Sequence, residues 1–448
     1  MAAVGSIGPL AGMACAGPGR GSIQGLNFRL GLLWALPPVA PIFVPMSDPV
    51  FQIRIARSMA DIDAAAWDAC ANPPGVDCDP DDPQRERFNP FLSHAFLNTL
   101  ETSGSATSRT GWSPVHLVVE DQAGAILACA PCYLKNHSQG EYVFDYAWAD
   151  AFERAGGHYY PKLQVSVPFT PAQGRRLLVA PGTNVAAAQA ALVEGLRALQ
   201  QRTGASSTHI TFPLKQEWEA LGQNGFLRRT GKQFHFFNRG YDDFDGFLAD
   251  LASRKRKNIR KERAEAIVHG IDIEWVTGRD ITEAHWDAFF AFYMDTGSRK
   301  WGQPYLTRRY YSLVGEAMAD RILLVMAKRN GRYIAGAINF IGDDALYGRN
   351  WGAIEEHPFL HFEVCYYQAI DFAIARKLSR VEAGAQGEHK LARGYGPVET
   401  YSLHMFEDPR LARAVDGFLQ QEREAISQSI EIYGEHVPFR RDLERELD

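Results

Sequence analysis

The densest gathering of ionisable side chains in this chain lies between Glu382 and Gly396, where Glu388, His389, Lys390, Arg393 and Tyr395 follow Gly384-Ala385-Gln386-Gly387. Acyl transfer to an amine needs few parts: a base for the attacking nitrogen, donors for the tetrahedral oxyanion, and an acid or cation for the leaving group. Glu388 or His389 could be the base, Lys390 could steady the oxyanion or an anionic donor, and Tyr395 could protonate the leaving group. These four are the expected catalytic set, with Gln386 and Arg393 beside them as substrate-binding candidates. A solvated loop between a strand and a helix would also be charged. Gly384, Gly387, Gly394 and Gly396 nevertheless punctuate this one as a close approach of backbone to ligand requires.

A second signal is the run Arg254 to Arg263, with seven basic residues against one acid. Laid on a helix starting after Asp242, Phe244, Phe247, Leu248, Leu251 and Ile259 form one face, with Lys255 near its centre and Asn258 on its edge. A solvated face accounts for Arg256, Lys257, Arg260 and Arg263. An ammonium set along an apolar stripe either snorkels or meets an anion, so Lys255 with Asn258 is read as a phosphate or carboxylate clamp. His361 and Glu363 open a later helix, where an acid suits the helix dipole and a histidine can be an ordinary capping-region residue. Tyr347, Arg349 and Trp351 alternate along the strand before it and either line an acceptor groove or pack under the helix. His361, Glu363, Arg349 and Trp351 complete the substrate-binding candidates.

Other chemistries find less support. Cys129-Ala130-Pro131-Cys132 has redox spacing but falls in an apolar run read as a strand, whereas a redox pair sits at a helix N-terminus. No set of ligands has zinc spacing, so no metal is expected. A net charge of -6, from 47 Lys and Arg against 53 Asp and Glu, argues against a dedicated nucleic-acid protein. Six scattered cysteines fit a reduced, cytoplasmic protein.

The elements that must position these residues alternate between strand and helix. At 448 residues the chain exceeds one core, so two domains are expected. Runs from Val115 and Ala125 flank a Gly-containing turn, and the pattern returns at Ile322 and Tyr333 with a third run from Ala345. Each meander leads to a helix (186–204 and 362–378) and then a short strand (209–212 and 380–383). That order, occurring twice, is that of a GNAT acetyltransferase domain and suggests internal duplication. The expected fold is α/β, with two tandem GNAT-like domains at 48–239 and 240–448, each closing its own sheet, and the probable active site in the second. Residues 1–47, rich in Gly, Ala and Pro and nearly uncharged, are expected to be a disordered extension packing on neither domain; their apolar stretch is too short and broken to span a bilayer.

Longer motifs carry a resemblance. Ser138 to Asp145, Tyr159-Tyr160-Pro161-Lys162-Leu163, Pro168-Phe169-Thr170-Pro171, Gly348 to Gly352, His361-Phe362-Glu363 and Gly384 to Lys390 resemble a bacterial family of N-acyltransferases related to the FemAB peptidoglycan aminoacyltransferases. The resemblance implies transfer of an acyl group, with acyl-coenzyme A as donor, to a small-molecule or peptide amine. It leaves two alternatives: a FemAB-type aminoacyltransferase acting on a peptidoglycan precursor, for which tRNA would be a partner, and a non-catalytic GNAT-like binding module. FemAB enzymes also carry a helical arm that this sequence does not show. Gly394-Tyr395-Gly396 departs from the usual coenzyme A pyrophosphate turn, because Leu391 stands where Arg or Gln is expected. Asp145, Tyr159, Tyr160 and Lys162 are read as aromatic core packing.

Overall fold

The chain is seen in a computed structural model that describes residues 42–44, 51–73, 88–300, 304–384 and 387–440. The second half follows the expected order closely. Ile322–Arg329 and Arg332–Ile341 form a hairpin through Asn330-Gly331, whose φ values of 52° and 75° suit the twist of the flanking strands. Ala345–Ala353 adds the third strand. Residues along Ile322–Arg329 are buried on both faces: Leu324 and Met326 meet Phe289 and Tyr311, while Leu323 and Val325 meet Val364 and Ile370. A continuous apolar run is therefore what this strand needs.

The first half begins the same way and then departs. His116–Glu120 and Ile126–Ala130 pair as expected. Pro131, which has no N–H to give a ladder, breaks the second run, and Cys132–Lys135 continues in the other sheet. Both cysteines of the redox-spaced pair therefore lie in strands, fully buried and free.

Two separate sheets were expected, one per domain; the strands form one of five and one of eleven, and the larger runs through both halves. Each half contributes a parallel pair, Lys162–Val165 with Ser207–Thr211 and Ala345–Ala353 with Arg380–Glu382. Each pair is followed by a helical segment and then a strand of 11 residues, Leu227–Phe237 in one half and Gly396–Phe406 in the other. Those long strands pair antiparallel at the centre of the sheet, and each also lies against the other half: Leu227–Phe237 on Arg380–Glu382, Gly396–Phe406 on Ser207–Thr211. The halves thus exchange their last strands, which a repeat in sequence cannot reveal. Aromatic rings close the other contact between the halves, with Phe91 5.2 Å from Phe340 and 5.1 Å from Tyr347.

Two further expectations are corrected. Ile42–Val44, inside the stretch read as disordered, pairs antiparallel with Phe51–Ala56; the rest of that extension lies outside the described residues. The helix drawn from Asp242 through the basic run is two helices, Phe244–Asp250 and Ser253–Ala266, because the chain turns extended at Leu251 and Ala252. Leu251 is held there by pairing with Phe439 and by Ala252 N–H donating to Pro438 O. The wheel that put Lys255 on the Phe244 stripe therefore does not apply.

Candidate functional site: a split in the sheet

Parallel pairing between Ala345–Ala353 and Arg380–Glu382 covers Ala345↔Arg380, Leu346↔Val381 and Tyr347↔Glu382 and then stops, while the longer strand runs on to Ala353. Among the described residues, no strand covers that edge of the chain from Gly348 onward. An exposed edge of backbone N–H and C=O groups is a template for an extended ligand. The far end is fixed from behind, because a Cβ on Gly352 would sit 2.3 Å from the backbone of Phe292. A cavity of about 130 Å³ opens at the split, lined among others by Asn339, Arg349, Trp351, His361, Cys365 and Tyr366.

The helix bordering the cavity starts at Phe359, whose φ is 60°, and passes through a π-helical turn, Glu363–Tyr367, before Gln368–Ala375. Such single π turns accompany functional sites, since the extra residue re-aims side chains. His361 lies in a nest of rings, with centroids 5.2 Å from Trp351, 5.4 Å from Tyr366 and 6.2 Å from His389. Tyr366 Oη is 2.9 Å from His389 Nε2. Burial raises the phenol pKa, so Tyr366 stays protonated beside the imidazole.

Of the expected catalytic set, His389 reaches this cavity through Tyr366, while Lys390 lies outside its lining and is tied to Gly384, next to the lining residue Ala383. Lys390 is 1% exposed, and its Nζ donates to Gly384 O at 2.8 Å. Among the described residues it has no carboxylate partner, and burial pushes its pKa down to about 8. Glu388 is exposed and accepts from Tyr433. Tyr395 is fully buried with its hydroxyl donating to Tyr366 O at 3.3 Å, which makes it the floor under Tyr366. Gln386 lies outside the described residues.

The expected substrate-binding residues divide. Arg349, Trp351 and His361 line the cavity. Arg349 also donates to Phe169 O and so reaches the first half. Arg393 is a brace: it donates to Glu262 at 2.9 Å and to His389 O at 2.7 Å, and stacks 3.4 Å over Phe362. Glu363 accepts from Arg263 at 2.9 Å and from Gln368 at 2.7 Å, and burial raises its pKa against the pull of Arg263. Lys255 is half-buried and Asn258 exposed, and neither lines the cavity. Gly394 has a packing explanation, since a Cβ there would sit 2.7 Å from Phe247.

Sequence reasoning missed Cys365, Tyr366 and Asn339, which a strand or helix pattern does not separate from core. It also missed the chemistry of Lys162. That side chain is fully buried and donates to Ser138 at 2.8 Å, Glu141 at 2.7 Å and Asp145 at 2.5 Å. Tyr159 donates to the same Asp145 oxygen at 2.8 Å, and Lys135 stands 3.8 Å from Glu141. The two carboxylates raise the Lys162 pKa and hold the ammonium charged. The signal was present in the sequence: four acids and two lysines among aromatics within 28 residues, 135–162.

Among the described residues no group of His, Cys, Asp or Glu is placed to hold a metal ion, and no helix is long and apolar enough to cross a membrane. A family model, FemAB-like, described as peptidoglycan biosynthesis/recognition, matches residues 58–441. No curated protein matches the sequence. Among solved structures the chain is similar to FemX, at 12% identity over 70% of this chain and 93% of that one, with a TM-score of 0.46. It is similar to L-PGS from Bacillus licheniformis, at 8% identity over 79% and 99%, TM-score 0.44. It is also similar to a tandem GNAT protein from the clavulanic acid biosynthesis pathway, at 11% identity over 80% and 99%, TM-score 0.43.

Proposed function

The chain belongs to the FemAB-like peptidoglycan biosynthesis/recognition family, and from that premise we propose that it moves an acyl group from an acyl-coenzyme A thioester to an amine acceptor, with the donor lying along the free edge beyond Gly348. One observation carries this reading: the parallel pair separates after Tyr347–Glu382, beside a cavity walled by His361, Trp351 and Tyr366. The thioester arm of such a donor is extended and rich in amides, so it can continue the ladder that Arg380–Glu382 abandons.

In the reaction the amine nitrogen attacks the thioester carbonyl carbon, the C–S bond breaks, and the sulfur leaves as thiolate. His361 is the base that takes the proton from nitrogen, with His389 behind it held by Tyr366. Backbone N–H groups of the free edge face the developing oxyanion. Lys390, as an ammonium below pH 8, offsets the charge of the departing thiolate. Arg393 and Glu363 position this machinery from behind. The first unit of the duplication ends with Leu227–Phe237 and the second begins with Phe244–Asp250, which keeps the domain boundary at 239/240 as part of this reading. We place the reaction in the cytoplasm, where the thiols of the four described cysteines, none in a disulfide, stay reduced.

The family match favours a second reading, transfer of an aminoacyl group from charged tRNA to a peptidoglycan precursor. The two are separated by supplying acetyl-coenzyme A or charged tRNA with a panel of amines, and following thiol release, tRNA deacylation and product mass. Acetylated product with thiol release supports the first reading. Deacylation of tRNA with an aminoacylated product replaces it by the second, and binding without any product leaves a binding module. Under the first reading His361→Ala lowers kcat about a hundredfold, the scale for a lost general base, at unchanged melting temperature.

A further inference from the structure

A second cleft, of about 220 Å³, lies on the central pair of exchanged strands. Its floor is Arg229 to Gln233 from one strand and Thr400 to Ser402 from the other, and its walls are Glu422 and Ile426 of the helix Pro409–Gly434 and the loop Tyr142 to Phe144. The two clefts adjoin: Tyr142 lines this one, Arg349 lines the split, and the Arg349 guanidinium is 6.0 Å from the Tyr142 ring.

The cleft has the parts of a built site. Thr230, 7% exposed, lines it with a buried hydroxyl that has no hydrogen-bond partner. Burying such a hydroxyl is costly unless something pairs with it. The two cations differ. Arg229 is spent on Glu422, with contacts of 2.7 Å from both Nε and Nη2. Lys232 donates to Ser429 at 2.6 Å and lies 4.2 Å over the Tyr433 ring, and among the described residues no carboxylate is ion-paired with it. Gly231 keeps the floor low, since a Cβ there would meet the Thr400 hydroxyl at 2.9 Å. At the rim, Phe144 is 53% exposed and its ring is 6.2 Å from that of Tyr146.

The wall is held in place against strain. Tyr142 has a φ of 60°, a left-handed conformation that strains a non-glycine residue and persists only where its surroundings impose it. Its neighbour Glu141, and Asp145 three residues on, are both fastened to Lys162. The buried ion cluster thus sets the position of the ring that separates the two clefts.

We infer that this cleft receives the acceptor, and that it selects an anionic, polyhydroxylated one: a carboxylate or phosphate against Lys232, hydroxyls toward Thr230 and Thr400, and a ring face on Phe144. The acceptor's amine then reaches the split past Arg349 and Tyr142. The assignment rests on the acyl-transfer reading for the amine, but the anion site stands on its own contacts.

The test is ligand-observed NMR titration of the full chain with D-glucuronate, D-glucose 6-phosphate and neutral methyl glucoside, using wild type, Lys232→Met, Thr230→Val and Trp351→Ala, with coenzyme A titrated into each. At least one anionic probe should bind wild type roughly tenfold more tightly than methyl glucoside, the scale of one charge-assisted hydrogen bond. Which of the two binds tells a carboxylate ligand from a phosphate one. Lys232→Met should abolish the preference, Thr230→Val should weaken all sugar probes, and Trp351→Ala should leave them unchanged while weakening coenzyme A. Equal binding of charged and neutral probes, or a preference that survives Lys232→Met, overturns the assignment. Sugar results as expected with no coenzyme A binding would support the cleft and overturn only the donor reading.

Discussion

Lys162 and Lys390 are both almost wholly buried, and their surroundings treat them in opposite ways. In the first half Lys162 meets two carboxylates and a serine, and its pKa is raised. In the second half Lys390 has a single carbonyl, and its pKa falls to about 8. The same contrast holds for the two parallel pairs beside them. In the second half the sheet opens after Tyr347–Glu382 into a cavity. In the first, the pairing ends at Val165↔Ile210, and the chain folds back so that Arg176 Nε donates to Thr211 O at 2.9 Å. The same guanidinium donates to Gly174 O at 2.8 Å and Ala172 O at 2.7 Å, and Arg176 is 1% exposed. The first half has its split filled and its charges paired. The other keeps a split open and holds a lysine with no carboxylate partner among the described residues, the combination that the proposed acyl transfer uses.

The comparison breaks most visibly at Lys162. Lys162→Met leaves Glu141 and Asp145 buried without their counter-charge and should cost about 3–5 kcal/mol, read from urea denaturation. A cost under about 1 kcal/mol would remove the cluster from the architecture. Arg176→Met comes next: it orphans three buried carbonyls, each worth about 1–3 kcal/mol when left unmade, though water entering the opened split offsets part. The expected net loss is about 2–4 kcal/mol, with coenzyme A affinity unchanged if, as proposed, the donor lies in the other split.

Lys390 sharpens the contrast through pH. Its folded pKa of about 8 is below its ordinary 10.5, so between those values the unfolded chain binds more protons than the native one. Wild-type stability should therefore rise with pH across that window relative to Lys390→Met, and the penalty should be fully present below pH 8. At pH 7 the same substitution should shift stability by less than about 1 kcal/mol or raise it, since it removes a desolvated charge without orphaning an ion partner. Its turnover should fall, and the alkaline limb of the wild-type kcat profile, near pH 8, should vanish. A limb that persists in Lys390→Met assigns it to another group.

Glu217 gives the smallest effect and belongs to the filled split. It accepts from the backbone N–H groups of Arg176 and Leu177 at 2.8–3.0 Å, yet burial raises its pKa to about 7. The native state then binds more protons than the unfolded one between 4.5 and 7, so stability falls as pH rises through that window. Glu217→Gln should flatten that slope, as followed by thermal melts at fixed ionic strength.

Much of this molecule was legible before its structure. Apolar runs around Gly-containing turns placed the meanders, because a strand buried on both faces can only be apolar, and Asn330-Gly331 dictates a tight hairpin. Local residue types also named Arg349, Trp351 and His361, but the alternation that grouped Tyr347 with them fails: the register shifts at Arg349, so Tyr347 packs on Phe91 while Trp351 lies against His361 on the other side of the sheet. The sequence by itself also held the repeat of helix and short strand.

What only the tertiary structure decided involves partners far apart in the chain. The exchange of Leu227–Phe237 and Gly396–Phe406 pairs residues such as Leu227 and His404, and no local pattern says which sheet an 11-residue strand will join. The break at Leu251, held by Phe439, moved Lys255 off the stripe that a continuous helix predicted. Whether a buried lysine is paired or spare depended on distance alone: Glu141 and Asp145 arrive at Lys162 from a loop 17–21 residues away, while Glu388, two residues from Lys390, turns outward to Tyr433. Charge energies fall off with separation in space and are steepest where water is excluded, so the same residue type became a fastening in one half and a titrating group in the other.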